Sequence, residues 1–230
     1  MKCSLIVPAA ADKAEYSNSL PYIFGLDSDG VIICLKSIMG LELDKFEHIY
    51  FTILKKHDER FFVAESLNLQ FKRLGIDNAK VVVLDEPTCD QAETVYATIC
   101  KESITGGIFI KDADSYFKAE TEGTNSIAIC PIEELDVLTP KDKSYVAVDD
   151  MYYVTNIIEK TVVGHYISAG GYFFADVADF CDYYNRLRNY GKLYLSHIIY
   201  AMLLDKKTFR PMIAEGYKDW GTQKDWKRNG

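Results

Sequence analysis

The chain has 230 residues, enough to bury a real core as a single domain spanning residues 1–230. Apolar residues make up 48% and charged residues 26%, the mix of a folded globular protein rather than a disordered one. A formal charge of −8 argues against a broad nucleic-acid surface, which needs a basic stripe, and against anionic membranes.

The apolar run 3–7 reads as a buried strand, ended by Pro8 and the small residues Ala9 to Ala11. A first strand that stops at small residues is where many α/β proteins place a phosphate-binding loop. Such a loop needs glycines, so that backbone N–H groups can approach phosphate oxygens, and usually a basic side chain. Here no glycine lies between Pro8 and Gly25, and the loop holds Asp12, Lys13 and Glu15. A helix-like stretch 30–38 follows, then a strand 48–54 and a helix around 58–74 closed by Gly75. Strand 80–84, helix 91–100 and strand 107–111 complete the first half. Strands alternating with amphipathic helices imply a parallel sheet covered on both faces. Segments 126–132, 145–149, 154–159 and 165–175 are β-rich and closely spaced, so the second half reads as a mixed or antiparallel extension. Helices near 177–190 and 194–204 and a short strand 209–213 end the pattern.

No apolar run approaches the ~20 residues needed to span a bilayer, and the first residues show no signal-peptide pattern. Six scattered cysteines lack metal-ligand spacing and read as free thiols. The expectation is a protein of the reducing cytoplasm, with no membrane partner.

Four stretches carry chemistry. In "GGIFIKDADSYF" a buried strand ends in Asp112 and Asp114. Ligands of open α/β sheets bind outside the carboxyl ends of strands, and two hard oxygen donors there suit Mg²⁺ or Mn²⁺ on nucleotide phosphates. A plain strand-end turn is the other reading, since Asp is common in turns. In "LDEPTCDQAETVYATI", Thr88 or Asp90 can cap a helix that begins near Gln91. An amide there can pair with a nucleobase edge while helix N–H groups face an anion; equally, Asp90 and Glu93 are simply first-turn acids on a helix dipole. In "NIIEKTVVGHYISAGGYFFADVADF", Glu159 and Lys160 end one strand, and the next runs through Gly170 and Gly171. Two glycines within a strand mark a bulge or a close approach. Near the C-terminus "KDWGT" places Asp219 and Trp220 before Gly221. Sixteen tyrosines, some paired, could serve a homodimer interface or sugar stacking, although core packing accounts for most of them.

Taken in order, "IVPAA", "PT…QAETV", "KDAD", "EK…GGYFF" and "DWGT" resemble the sugar-nucleotidyltransferase (nucleotide-diphosphosugar pyrophosphorylase-like) family over essentially the whole chain. The resemblance implies a glycosyltransferase-A/Rossmann-like α/β fold with a mixed, mainly parallel sheet. It implies that Asp112, with Asp114 beside it, and Asp219 hold Mg²⁺ or Mn²⁺. Ala9, Ala10, Lys13, Thr88 and Gln91 would bind nucleotide, with Gln91 on the base. Glu159, Lys160 and Gly170 would meet a small phosphorylated acceptor, and Asp112, Lys160 and Asp219 would be the catalytic residues. The implied reaction is attack of a phosphate oxygen on the α-phosphorus of a nucleoside triphosphate, in the service of surface-glycan precursors. The family's first loop reads Pro-Ala-Ala-Gly-x-Gly-x-Arg, followed later by Pro-Lys. In this chain Ala11 and Lys13 stand at the glycines, Glu15 at the arginine and Tyr22 at the lysine. That departure keeps two other readings open: a glycosyltransferase of the same fold taking a nucleotide-sugar through its Asp-x-Asp pair, and a catalytically silent nucleotide-binding protein.

Overall fold

The computed structural model describes residues 3–11, 19–135, 143–222 and 226. Strand β1 (Cys3–Pro8) is apolar on both faces: Leu5 and Val7 enter one core cluster, and Ile6 between them enters the other. That continuous apolar run is what a central parallel strand needs, because helices cover it above and below. It pairs in parallel with β2 (His48–Leu54) on one side and β4 (Gly107–Lys111) on the other. Beyond β2 lies β3 (Ala79–Leu84), also parallel.

Past β4 the sheet changes character. The long strand β9 (Tyr166–Phe174) pairs antiparallel to β4 and to β6 (Ser126–Pro131), and β10 (Arg210–Ile213) runs parallel to β6. The order across the sheet is β3-β2-β1-β4-β9-β6-β10. A hairpin of β7 (Ser144–Val148) and β8 (Val154–Glu159) joins through β7 to β9. The sheet is therefore mixed, with a parallel first half and helices on both faces, as the sequence implies.

One face is covered by the short helix α1 (Ile33–Lys36) and by α3 (Val63–Leu74), whose Val63, Leu67 and Phe71 recur every four residues and are buried. On the other face lie α4 (Gln91–Glu102), α5 (Val177–Leu187) and α6 (Leu195–Leu204). Burial of each Leu, Ile or Phe there contributes about 1.5–3 kcal/mol relative to exposure.

Three elements differ from the sequence reading. The helix expected over 30–38 is a single turn at Ile33–Lys36. The helix expected over 58–74 is two, α2 (Lys55–Phe61) and α3, broken at Phe62 with φ +54°. Asp58 explains the break, since its carboxylate accepts from the Ala64 N–H at 2.7 Å and so caps the second helix. The third difference is a separate two-stranded ribbon, β5 (Ser115–Lys118) with β11 (Glu215–Asp219), paired antiparallel where the sequence reads as turn and loop. All six cysteines are free thiols; Cys3, Cys34 and Cys130 are buried.

Candidate functional site

The order of strands reverses between β1 and β4: the chain builds outward from β1 to β2 and β3, then crosses to β4 on the other side. In open α/β sheets a crevice forms outside the carboxyl ends of the two strands at such a point. Ala9 and Ala10 follow β1 there and are buried, with the Ala9 N–H donating to Thr52 O at 2.8 Å. Asp112 follows β4.

Asp112 is held from three directions. Its backbone N–H donates to Gly170 O at 2.8 Å, and its Oδ1 accepts from Gln91 Nε2 at 2.6 Å. Its Oδ2 lies over Gly170, where an added Cβ would come within 2.5 Å of it. Gly170 has φ +84° and stands opposite a register shift between β6 and β9, so the expected bulge is present. The close approach that the glycine permits is made by the Asp112 carboxylate. Burial, and then the charge of Asp114, push the Asp112 carboxyl up to about 6. The positive charges of Lys111 and Lys143 and the Gln91 hydrogen bond pull the other way.

Gln91 opens α4. Asp90 caps that helix, accepting from Glu93 N–H at 2.9 Å, while the Glu93 carboxylate accepts from Cys89 N–H at 2.5 Å. Thr88 shares a hydrogen bond with Thr94 at 2.6 Å, and Thr52 of β2 with Thr98 of α4, also at 2.6 Å. These ties fix where the Gln91 amide points.

Beneath the acidic pair lies Lys111, fully buried at the end of β4. Its Nζ donates to Asp112 O at 2.9 Å, Ser115 O at 2.8 Å and Ser115 Oγ at 2.7 Å, and sits 4.6 Å over the Phe117 ring. Burial drags its pKa down to about 8, against the pull of Asp112 and Asp114. The lysine clamps the turn that carries both aspartates. The motifs of the sequence do not single it out, although a lone lysine ending the run Gly-Ile-Phe-Ile signals a buried charge that needs partners.

The ribbon brings in Asp219, paired in register with Ser115, while the Trp220 N–H donates to Asp114 O at 2.8 Å. Trp220 is buried and stacks on Tyr116 at 6.0 Å, which seals the ribbon. The Asp219 carboxylate is ion-paired through Oδ2 with Lys143, and its Oδ1 accepts from Gly221 N–H at 3.0 Å. Lys143 also donates to Tyr217 OH at 3.1 Å. Burial works against its ammonium, but the charges of Tyr217 and Asp219 raise its pKa well above the ordinary lysine value.

On the remaining side Glu159 ends β8 and accepts from Ser144 Oγ and, at 2.8 Å, from Ser196 Oγ. Lys160, at φ +60°, donates its backbone N–H to Lys143 O at 2.8 Å and its Nζ to Tyr194 OH at 3.2 Å. Residue 143 thus joins the Asp219 side of the site to the Lys160 side.

Of the altered first loop, Lys13 and Glu15 lie outside the described residues. Tyr22, in a 3₁₀ turn Tyr22–Phe24, packs its ring against the core face that carries Leu5 and Val7. The metal expected at Asp112, Asp114 and Asp219 meets a difficulty. Among the described residues no group of three or more His, Cys, Asp or Glu side chains is arranged to hold a metal ion, and both oxygens of Asp219 are engaged. As arranged, the three carboxylates do not by themselves make a closed site for a divalent ion.

With its strand order and switch point, the chain has the fold of the sugar nucleotidyltransferases. It is similar to the nucleoside-diphosphate-sugar pyrophosphorylase of Vibrio cholerae RC9, at a TM-score of 0.79 and 15% identity over 97% of this chain and 98% of that one. The inositol-1-phosphate CTP transferase of T. maritima superposes at 0.72, with 13% identity over 98% and 91%. A UDP-glucose pyrophosphorylase complexed with UDP-glucose does so at 0.71, with 10% identity over 98% and 96%. No protein-family model and no curated protein sequence matches the chain. No helix among the described residues is long and apolar enough to cross a membrane.

Proposed function

We propose that the protein is a nucleotidyltransferase that moves a nucleoside monophosphate from a nucleoside triphosphate to the phosphate of a small acceptor such as a sugar phosphate. An acceptor phosphate oxygen forms the new bond to the α-phosphorus, the bond from the α-phosphorus to the bridging oxygen breaks, and pyrophosphate leaves. The observation that carries the reading is the meeting of Asp112, Gln91 and Gly170 at the switch point between β1 and β4, with Lys160 at the edge.

Phosphoryl chemistry asks the protein for position and charge rather than for covalent work. Lys160 is suited to the acceptor phosphate. Its Tyr194 partner limits where the ammonium can go, and its backbone is pinned to residue 143. Ala9 and Ala10 present backbone and small side chains to a nucleotide, and Thr88 stands just before the start of α4, tied to Thr94. The role follows the nucleotide-sugar and inositol-phosphate chemistry in the names of the similar structures, and supply of precursors to surface glycans is its natural use.

A second reading has its own observation. Tyr22, packed against the core, cannot offer a triphosphate the cation that a lysine would. A glycosyltransferase that takes a finished nucleotide-sugar needs none. One screen separates the two. Each of the four nucleoside triphosphates is incubated with a panel of sugar 1-phosphates and inositol phosphate, and pyrophosphate is assayed; nucleotide-sugars are then tested for release of nucleoside diphosphate. Pyrophosphate that depends on an acceptor supports nucleotidyl transfer. Nucleoside diphosphate release without it replaces that reading with glycosyl transfer.

A further inference from the structure

We propose that the ammonium of Lys143 is the resident cation of the acidic strand ends, seated at Asp219 where the resemblance places a divalent ion, so that the protein free of nucleotide takes up no such ion. This rests on the reading of Asp112, Asp114 and Asp219 as the phosphate-facing side of a nucleotide site.

The seat is built rather than incidental. Lys143 is ion-paired with Asp219 and donates to Tyr217 OH at 3.1 Å, with only 17% of its side chain exposed. Its own carbonyl is anchored by the Lys160 N–H at 2.8 Å, so the side chain starts from a fixed point. The second Asp219 oxygen is turned toward the Gly221 N–H. The lysine charge also reaches Asp112 and helps to hold its carboxyl down. One ammonium therefore serves both sides of the cluster.

A divalent ion entering this site would have to displace that ammonium from a mostly buried ion pair. That would leave the Lys143 ammonium, whose side chain is only 17% exposed, without its carboxylate, which is unfavourable. Mg²⁺ also gives up its water slowly and needs oxygens that the three carboxylates do not bring to one point. A surface ion pair would not resist in this way, since it yields readily to salt and competing ions. Oxygens from nucleotide phosphates are the ligands that would tip the balance, so a metal would enter only in their company.

The test is calorimetric titration of the nucleotide-free protein with Mn²⁺, an ion of the same oxygen-ligand class that also permits a paramagnetic readout. Wild type should show no saturable binding below the millimolar range. Lys143→Met should bind at least about tenfold more tightly, because three carboxylates are left without their cation. Lys143→Arg, which keeps the charge, should behave as wild type, and Asp219→Asn added to Lys143→Met should abolish the gain. Circular dichroism and melting curves confirm that each variant is folded. Should Lys143→Met fail to fold, ¹H–¹³C spectra of the wild-type lysines decide: the Lys143 resonance should not move with millimolar Mg²⁺. Tight Mn²⁺ binding by wild type, a folded Lys143→Met with no gain, or a shifted Lys143 resonance would overturn the proposal. None of these measurements needs turnover, so the proposal can fail while nucleotidyl transfer stands, and the reverse.

Discussion

Replacing Lys111 by methionine should change the way stability depends on pH, and the size of the change can be worked out. In the unfolded chain the lysine titrates near 10.5; burial brings it to about 8 in the folded protein. Between those values the unfolded state holds more protons, so stability rises with pH across the window and the cost of the buried charge is greatest below pH 8. That cost is about 3 kcal/mol, at roughly 1.4 kcal/mol for each tenfold change in affinity for the proton. Opposing it are three hydrogen bonds, to Asp112 O, Ser115 O and Ser115 Oγ. Loss of their donor leaves buried acceptors at about 1–3 kcal/mol each. Lys111→Met should therefore be destabilised by a few kcal/mol at pH 7. Wild type should then gain roughly 1 kcal/mol on the variant as pH rises from about 7 to 9. Buried tyrosines and cysteines titrate alike in both proteins and cancel in the difference. Urea denaturation at both pH values, with a chelator present, measures it. A difference that stays flat or shrinks with pH would show that the ammonium is not held down by burial and that the clamp is not a charged one.

Gly170→Ala puts a methyl group within 2.5 Å of Asp112 Oδ2 at φ +84° and should cost at least about 1–3 kcal/mol, seen as a fall of several degrees in melting temperature. The same change in an Asp112→Ala background should cost less, and equal costs would separate the two residues. Gln91→Ala removes the hydrogen bond that favours the ionised Asp112, so the carboxyl should rise above about 6 and the acid limb of any pH–rate profile should move to higher pH. Nucleotide affinity should weaken by about 1–3 kcal/mol in the same variant. An unmoved acid limb with unaltered dissociation constants would remove Gln91 from the site.

The parallel half of the fold was legible because its strands are buried on both faces: the runs at β1, β2 and β4 stay apolar whichever way the side chains alternate. The ribbon was not. Ser-Tyr-Phe-Lys and Glu-Gly-Tyr-Lys-Asp are short and polar, and each becomes a strand only by pairing with the other. The break at Phe62 carries no glycine or proline to announce it, and the tie that makes it spans from Asp58 to Ala64. At the site, Asp112, Gln91 and Gly170 could be picked out from residue type and position, but that they touch one another could not. Lys143 lies in a run, Pro-Lys-Asp-Lys, that reads as a solvated loop. Only the return of β11 from far along the chain shows what its charge is set against.

The ribbon has a consequence for how the protein comes into being. Ser115 and Asp219, its paired ends, stand about a hundred positions apart. During synthesis the strands β1 to β4 emerge and can pair long before Asp219 leaves the ribosome. At that stage Asp112 and Asp114 lack their neighbour, Trp220 has not covered Tyr116, and Lys143 has no Asp219 to face. Pairings of such long range form late, since the intervening chain must first be ordered. The acidic cluster is in effect a test of completion: a chain stopped short of residue 219 can form much of its sheet, but not this site.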